Sequence, residues 1–269
     1  MANQALAVLE SALRDRKLDR TLTTALAPLD RTDGAAQVPF GIDALDGRLR
    51  GGLPRGQLSE LAGSPASGRL TLLLQLIAAA TRRGEVAAFV DTCDRLDVAT
   101  AAAAGICLDR LLWIRGTAVS AGSGTSPCRR QGPATAATAQ TWERTLDRAI
   151  KALNLVVQAG GFAVVAIDLA DVPAVWLKRL PYTTWLRVQR SIEGSDTACV
   201  LLTPEPLARS AGGLTLALSG RTAWTQPAQA GTADRSRRLT GMDTQVRIVS
   251  PRRRVEGEVE IRASASDSH

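Results

Sequence analysis

Histidine and aromatic side chains are nearly missing from this chain: its one histidine is the final residue, His269, and aromatics make up 3% of the 269 residues. Cysteine is scarce as well. Cys93, Cys107, Cys128 and Cys199 fall with no C-x-x-C spacing, so a zinc site and a histidine-based catalytic dyad are excluded, and reduced thiols in a cytosolic protein are the expectation. With so few aromatic rings there is no platform for stacking nucleic-acid bases; the tryptophans fit core or edge positions. No apolar run reaches the roughly 18 residues that span a bilayer. The opening stretch MANQALAVLESALRDRKLDR lacks the basic-then-apolar layout of a signal peptide. A cytoplasmic protein with no membrane contact is expected.

What is present is a globular composition, 45% hydrophobic and 22% charged, with enough residues for a substantial core. The net charge is +7 and the pI is near 10.0, which favours acidic partners such as nucleic acid. The charge is uneven: residues 235–262 carry eight Arg against four Asp and Glu. Arg235, Arg237, Arg238, Arg252, Arg253 and Arg254 are the candidates for contact with DNA or with a neighbouring subunit.

Along the chain, residues 4–18 place Leu6, Leu9 and Leu13 on one face of an amphipathic helix, a candidate partner contact. A polar linker follows, so residues 1–37 read as an N-terminal helix and linker. Residues 38–263 read as one core, and 264–269 as a disordered tail. Within the core, Gln57–Ala62 predicts a strand, Gly63–Gly68 a loop, and Arg69–Arg83 a helix that is apolar almost all round. Strands follow at Val86–Val90 and Leu111–Ile114, with a helix at Asp97–Ala104 between them. Residues 116–140 are dominated by Gly, Ala, Ser, Thr, Pro and Gln and read as a flexible insertion. A helix at Thr141–Ala159 presents Trp142, Leu146, Ala149, Leu153, Val156 and Val157 to the core. Then come a strand at Phe162–Ile167, a helix over Val172–Ile192 and a strand at Ala198–Leu202. Unbroken apolar strands alternating with helices predict an α/β fold, a mainly parallel sheet covered on both faces. Strand upon strand after Gly213 (Leu214–Leu218, Thr222–Trp224, Gln245–Val249, Glu258–Ile261) predicts an antiparallel extension at one edge, with the arginines at the tip of its last hairpin.

The chemistry centres on the loop GSPASGRL: Gly63, Ser64, Pro65, Ala66, Ser67, Gly68, Arg69 and Leu70, with Thr71 next. A phosphate-binding loop reads G-x-x-x-x-G-K-[ST]; its glycines let backbone N–H groups turn inward around the anion, at the positive end of the following helix. Gly63 and Gly68 keep that layout. Arg69 stands where the lysine reaches the phosphates, a bulkier and planar cation. Leu70 stands where a hydroxyl ligates magnesium and has no oxygen to offer; Thr71 is one residue, about 100°, further round the helix. Asp168 closes an apolar strand as a metal-facing carboxylate does in phosphate-loop enzymes.

The run FGIDALDGRLRGGLPRGQLSELAGSPASGRLTLLLQLIAAATRRGEVAAFVDTCDRLD resembles the core of RecA-type recombinases, and GMDTQVRIVSPRRRVEGEVEIRA is similar to the last hairpin of that core. The resemblance implies a RecA-like phosphate-loop NTPase fold over residues 38–115 and 141–262. It also marks departures. Cys93, with Asp94 after it, stands where a glutamate activates the attacking water. Thr203-Pro204 stands where an Asn-Gln pair senses the γ-phosphate. The stretches near Val172–Arg179 and Pro204–Gly213 look shorter than the recombinase DNA loops.

The segment LDRAIKALNLVVQAGGFAVVAIDLADVP looks like the ImuA-type subgroup in particular. That implies an accessory role in damage-induced translesion mutagenesis, beside an ImuB-type Y-family polymerase homologue and an error-prone replicative-type polymerase, with association to the nucleoid on damage. Self-association through the N-terminal helix, contact with DNA, and retention of ATP, ADP or a phosphate-like anion at Gly63–Arg69 remain open alongside it. Two other readings stand: a weakly active recombinase-like ATPase that tolerates Arg69, and a SulA-like inhibitor of cell division. The complete Gly63–Gly68 loop and the long last hairpin weigh against the second.

Overall fold

A computed structural model describes residues 37–116, 136–208, 213–224, 239–249 and 257–264. By internal contacts the chain divides into residues 1–32 and 33–269, and every described residue lies in the second unit. The fold begins with a two-stranded antiparallel ribbon, β1 (Gln37–Val38) and β2 (Leu53–Pro54), enclosing the short helix α1 (Asp43–Arg48). Asp46 caps the approach to α1, accepting backbone N–H groups from Phe40, Gly41 and Ile42 at 2.8, 2.8 and 3.1 Å.

The rest is built on one eight-stranded sheet. In chain order its elements are β3 (Leu58–Gly63), α2 (Arg69–Arg82), β4 (Ala87–Asp91), α3 (Val98–Ala103), β5 (Leu111–Arg115), α4 (Ala136–Ala159), β6 (Val164–Asp168), α5 (Ala174–Leu177), α6 (Tyr182–Ile192), β7 (Ala198–Thr203), β8 (Thr215–Trp224), β9 (Leu239–Ile248) and β10 (Gly257–Ser264). Their order in space is β10-β9-β8-β3-β7-β6-β4-β5. From β8 to β5 every pairing is parallel; β8–β9 and β9–β10 are antiparallel. This is the expected α/β RecA-like core with its antiparallel extension at one edge.

Alternation along the strands explains their continuous apolar runs. Leu61, Phe89, Ala166, Val200 and Leu202 meet α2 on one face, while Ala88, Val90, Val165, Ile167 and Leu201 meet α4 and α6 on the other. Both faces are covered, so a polar side chain on either must find a hydrogen-bond partner inside the fold. The six residues expected to form the core stripe of α4 are all buried.

Several boundaries differ from expectation. The single helix expected over Val172–Ile192 is two, α5 and α6. Pro181 is the N-cap of α6 and pushes Leu180 out of helical geometry, so the chain must break there. The strands expected at Leu214–Leu218 and Thr222–Trp224 are one, because β8 runs through Ser219-Gly220-Arg221 while pairing with β9. α4 starts at Ala136, inside the stretch read as an insertion; residues 117–135 lie outside the described residues. The expectation of four reduced cysteines does not hold. Cys107 and Cys199 are free, and Cys93 is disulfide-bonded. Among the described residues no helix is long and apolar enough to cross a membrane.

Candidate functional site

Register places the carboxyl ends of four strands side by side. Ala62 lies opposite Thr203, Leu202 opposite Asp168, and Asp168 opposite Asp91. Open parallel sheets bind ligands in the crevice beyond such ends. Here a cleft of about 430 Å³ lies beyond them, walled by residues 65–71, by Asp94 and Arg95, by Asp168, Ala170 and Asp171, and by Leu202 and Met242.

The loop Gly63–Gly68 turns sharply from β3 into α2. Ala66 and Gly68 adopt positive φ, 60° and 85°, and α2 springs from Gly68 with no side-chain cap on its first N–H groups. Both glycines are demanded by their surroundings. A Cβ at Gly63 would lie 2.4 Å from the Ser67 hydroxyl and 2.7 Å from the Leu218 carbonyl, and one at Gly68 would lie 2.3 Å from Thr244 Oγ1. β8 and β9 thus clamp the loop from the side opposite β7. Ser64, Pro65 and Ala66 are exposed, whereas Ser67 is buried with its hydroxyl unpartnered.

Arg69 does not reach out of this loop. It is 7% exposed, and its guanidinium donates to three backbone carbonyls: Gly63, Thr203 at 3.4 Å and Ala170 at 3.2 Å. One side chain therefore ties the start of the loop to the ends of β7 and β6. The guanidinium's planar fork of donors makes this span feasible where an ammonium would reach fewer acceptors. Burial pushes the Arg69 pKa below its ordinary value; the nearby Asp168 and Asp171 carboxylates oppose that shift. Leu70 turns toward the core and packs on the α2 side of the sheet. Thr71 is exposed at the cleft wall.

Asp168 sits at the end of β6, where the sequence pattern placed it, and accepts the Ala170 N–H at 2.8 Å. Its burial, with Asp91 and Asp171 close by, raises its pKa to about 7 even though the Ala170 N–H and Arg69 pull the other way. The remaining charges of the cleft are already paired. Arg95 bridges Asp171 at 2.8 Å, and Asp94 takes both arms of Arg115 at 2.7 and 2.8 Å. Hydrogen bonds from Arg115 hold the Asp94 carboxyl below its usual range. Leu70 offers no oxygen to a cation. Among the described residues no group of three or more His, Cys, Asp or Glu is placed to hold a metal. A magnesium-bound nucleotide does not fit this donor set.

Sequence reading missed two buried carboxylates. Asp91 accepts the backbone N–H groups of Arg95 and Leu96, both at 2.8 Å, and the Trp113 indole at 3.2 Å, which fixes the turn carrying Cys93 and Asp94. Glu60, in the strand that feeds the loop, is fully buried and grips the chain leaving β7. The one signal for Glu60 was an acid inside the apolar run LSELA. Leu6, Leu9, Leu13 and the six arginines at 235, 237, 238 and 252–254 lie outside the described residues.

Comparison with known proteins identifies the stretch that carries the loop. Residues 22–118 match the RecA N-terminal domain. Protein RecA of Clavibacter michiganensis is 40% identical over 109 residues, 35% of this chain and 30% of that protein. Protein RecA of Prochlorococcus marinus is 35% identical over 118 residues, 39% of this chain and 31% of that protein. For Symbiobacterium thermophilum Protein RecA the figures are 47% over 76 residues, 28% and 22%. The chain thus spans about a third or less of the length of these curated relatives, and the likeness to RecA covers 28–39% of this chain.

Proposed function

We propose that this RecA-like chain is a catalytically degenerate accessory protein of the DNA-damage response. In this reading the phosphate loop has become a structural brace, and the protein works through contacts. The partners proposed are an ImuB-type Y-family polymerase homologue and an error-prone replicative-type polymerase in translesion synthesis, with DNA and self-association as further contacts. Its setting is the cytoplasm, at the nucleoid after damage.

The observation that carries this reading is the engagement of Arg69. The cation that would meet a phosphate is spent on the carbonyls of Gly63, Thr203 and Ala170. Leu70 supplies no metal ligand, and Cys93 stands where the resembled family carries its water-activating glutamate. Phosphoryl transfer rests on positioning and charge stabilisation by such groups, so losing them together removes the chemistry while leaving the fold.

Calorimetry with ATP, with and without magnesium, tests the first half of the proposal. No magnesium-dependent heat and no turnover with single-stranded DNA present are expected. Turnover stimulated by single-stranded DNA overturns it in favour of a recombinase-like ATPase. Co-purification after DNA damage tests the second half: a Y-family polymerase homologue is expected in the eluate, and the cell-division GTPase in its place supports the SulA-like alternative.

A further inference from the structure

β7 and β8 both run parallel to β3 and flank it on either side. The chain between them must therefore return across β3 from one end of the sheet to the other, and it does so without a helix among its described residues. Its last part is held by backbone fit. Ser59 Oγ accepts the Leu214 N–H at 3.1 Å, and Gly213 passes so close to the Leu58 carbonyl that a Cβ would lie 1.8 Å from its oxygen.

Its first part is held by one side chain. Glu60 is 0% exposed. It accepts the Thr203 hydroxyl at 3.1 Å, the Leu207 N–H at 2.6 Å and the Ala208 N–H at 3.4 Å. Leu207 and Ala208 then pack into the core on the α4 and α6 side of the sheet. A buried carboxylate is costly unless its lone pairs are matched, and its partners here are Thr203 at the end of β7 and Leu207 and Ala208 of the crossing segment. The same Thr203 offers its carbonyl to Arg69, so the segment is held from β3 through its side chain and from α2 through its backbone.

We infer that Glu60 pins Thr203–Ala208 in one conformation with no ligand bound, so that the chain leaving β7 is ordered by the fold itself. The inference stands on Glu60 and its partners and does not rest on the proposed function. Turnover of ATP would sink that reading and leave this one intact.

Residue-resolved amide exchange on the full chain, without nucleotide, tests it. In the wild type the Leu207 amide is expected to exchange at least about tenfold more slowly than a free peptide, the scale of one charge-assisted hydrogen bond. Glu60→Gln keeps the shape and one acceptor, and is expected to speed exchange at Leu207 and Ala208 by roughly tenfold while β6 amides stay protected. Thr203→Val removes a donor from the same carboxylate without touching β3, and serves if the Glu60 variant fails to fold; faster exchange at Leu207 and Ala208 is expected there too. Free-peptide exchange at Leu207 in the wild type overturns the inference. So does unchanged protection of both amides in every variant that folds.

Discussion

At the scale of single residues, Arg69 and Asp168 make opposite contributions. Arg69 satisfies three carbonyls at the meeting point of β3, β6 and β7. Removing it in Arg69→Ala strands buried acceptors, and a loss of roughly 1–3 kcal/mol is expected in urea unfolding. Arg69→Lys should recover part of that loss, because an ammonium cannot span all three acceptors. Asp168 works against the fold at neutral pH. Its folded pKa, about 7, lies above the 3.8 of the unfolded chain, so the native state holds a proton that the unfolded state has released between those values. Stability from this group is fully present below pH 3.8 and is lost as pH rises through about 7. Asp168→Asn keeps an acceptor for Ala170 and cannot ionise. Its melting temperature should match the wild type near pH 4 and exceed it increasingly toward pH 8. A constant difference across that range would show that burial of the charge is not the cause.

At the scale of elements, the loop is defined by what presses on it. Gly63 abuts the Leu218 carbonyl of β8, and Gly68 abuts Thr244 of β9. The Gly63 contact includes backbone, which cannot swing aside, so Gly63→Ala should cost roughly 1–3 kcal/mol through overpacking, whereas an unhindered glycine-to-alanine change stabilises. A Gly63→Ala protein unfolding at the wild-type urea midpoint would show that the β8 clamp yields. The same neighbours explain how much was legible in the sequence. Strands buried on both faces are predominantly apolar, so β3, β4, β6 and β7 announced themselves, as did the apolar face of α4. Their order in space, and hence the neighbours of each strand end, is not a property of any local stretch. Glu60 read as one acid in a strand because its partners, Thr203, Leu207 and Ala208, lie 143 to 148 residues away. Arg69 read as a phosphate cation because its carbonyl acceptors come from three separated turns. The break at Pro181 was legible in principle; helical periodicity on either side masked it.

At the scale of the whole molecule, the sequence carries an excess of positive charge that the cleft does not use. The paired charges of the cleft, Arg95 with Asp171 and Arg115 with Asp94, contribute little net field, so the excess of 33 basic over 26 acidic residues must act elsewhere. Arg235, Arg237 and Arg238 precede β9, while Arg252–Arg254 fall between β9 and β10. β9 has ten residues. The two basic triplets lie outside the described residues, one before that strand in sequence and one after it. Triplets that share no binding partner act independently on binding. If both triplets contact phosphates, replacing either by alanines should lower the salt-dependence slope for single-stranded DNA by about 2, at roughly 0.7 per phosphate contact, and replacing both should lower it by the sum. A single patch predicts something else: one triplet would carry the whole slope and the other none. Loss of the slope on mutating Arg252–Arg254 alone would therefore place the DNA at the hairpin tip, and no binding even at low salt would assign these arginines to protein partners.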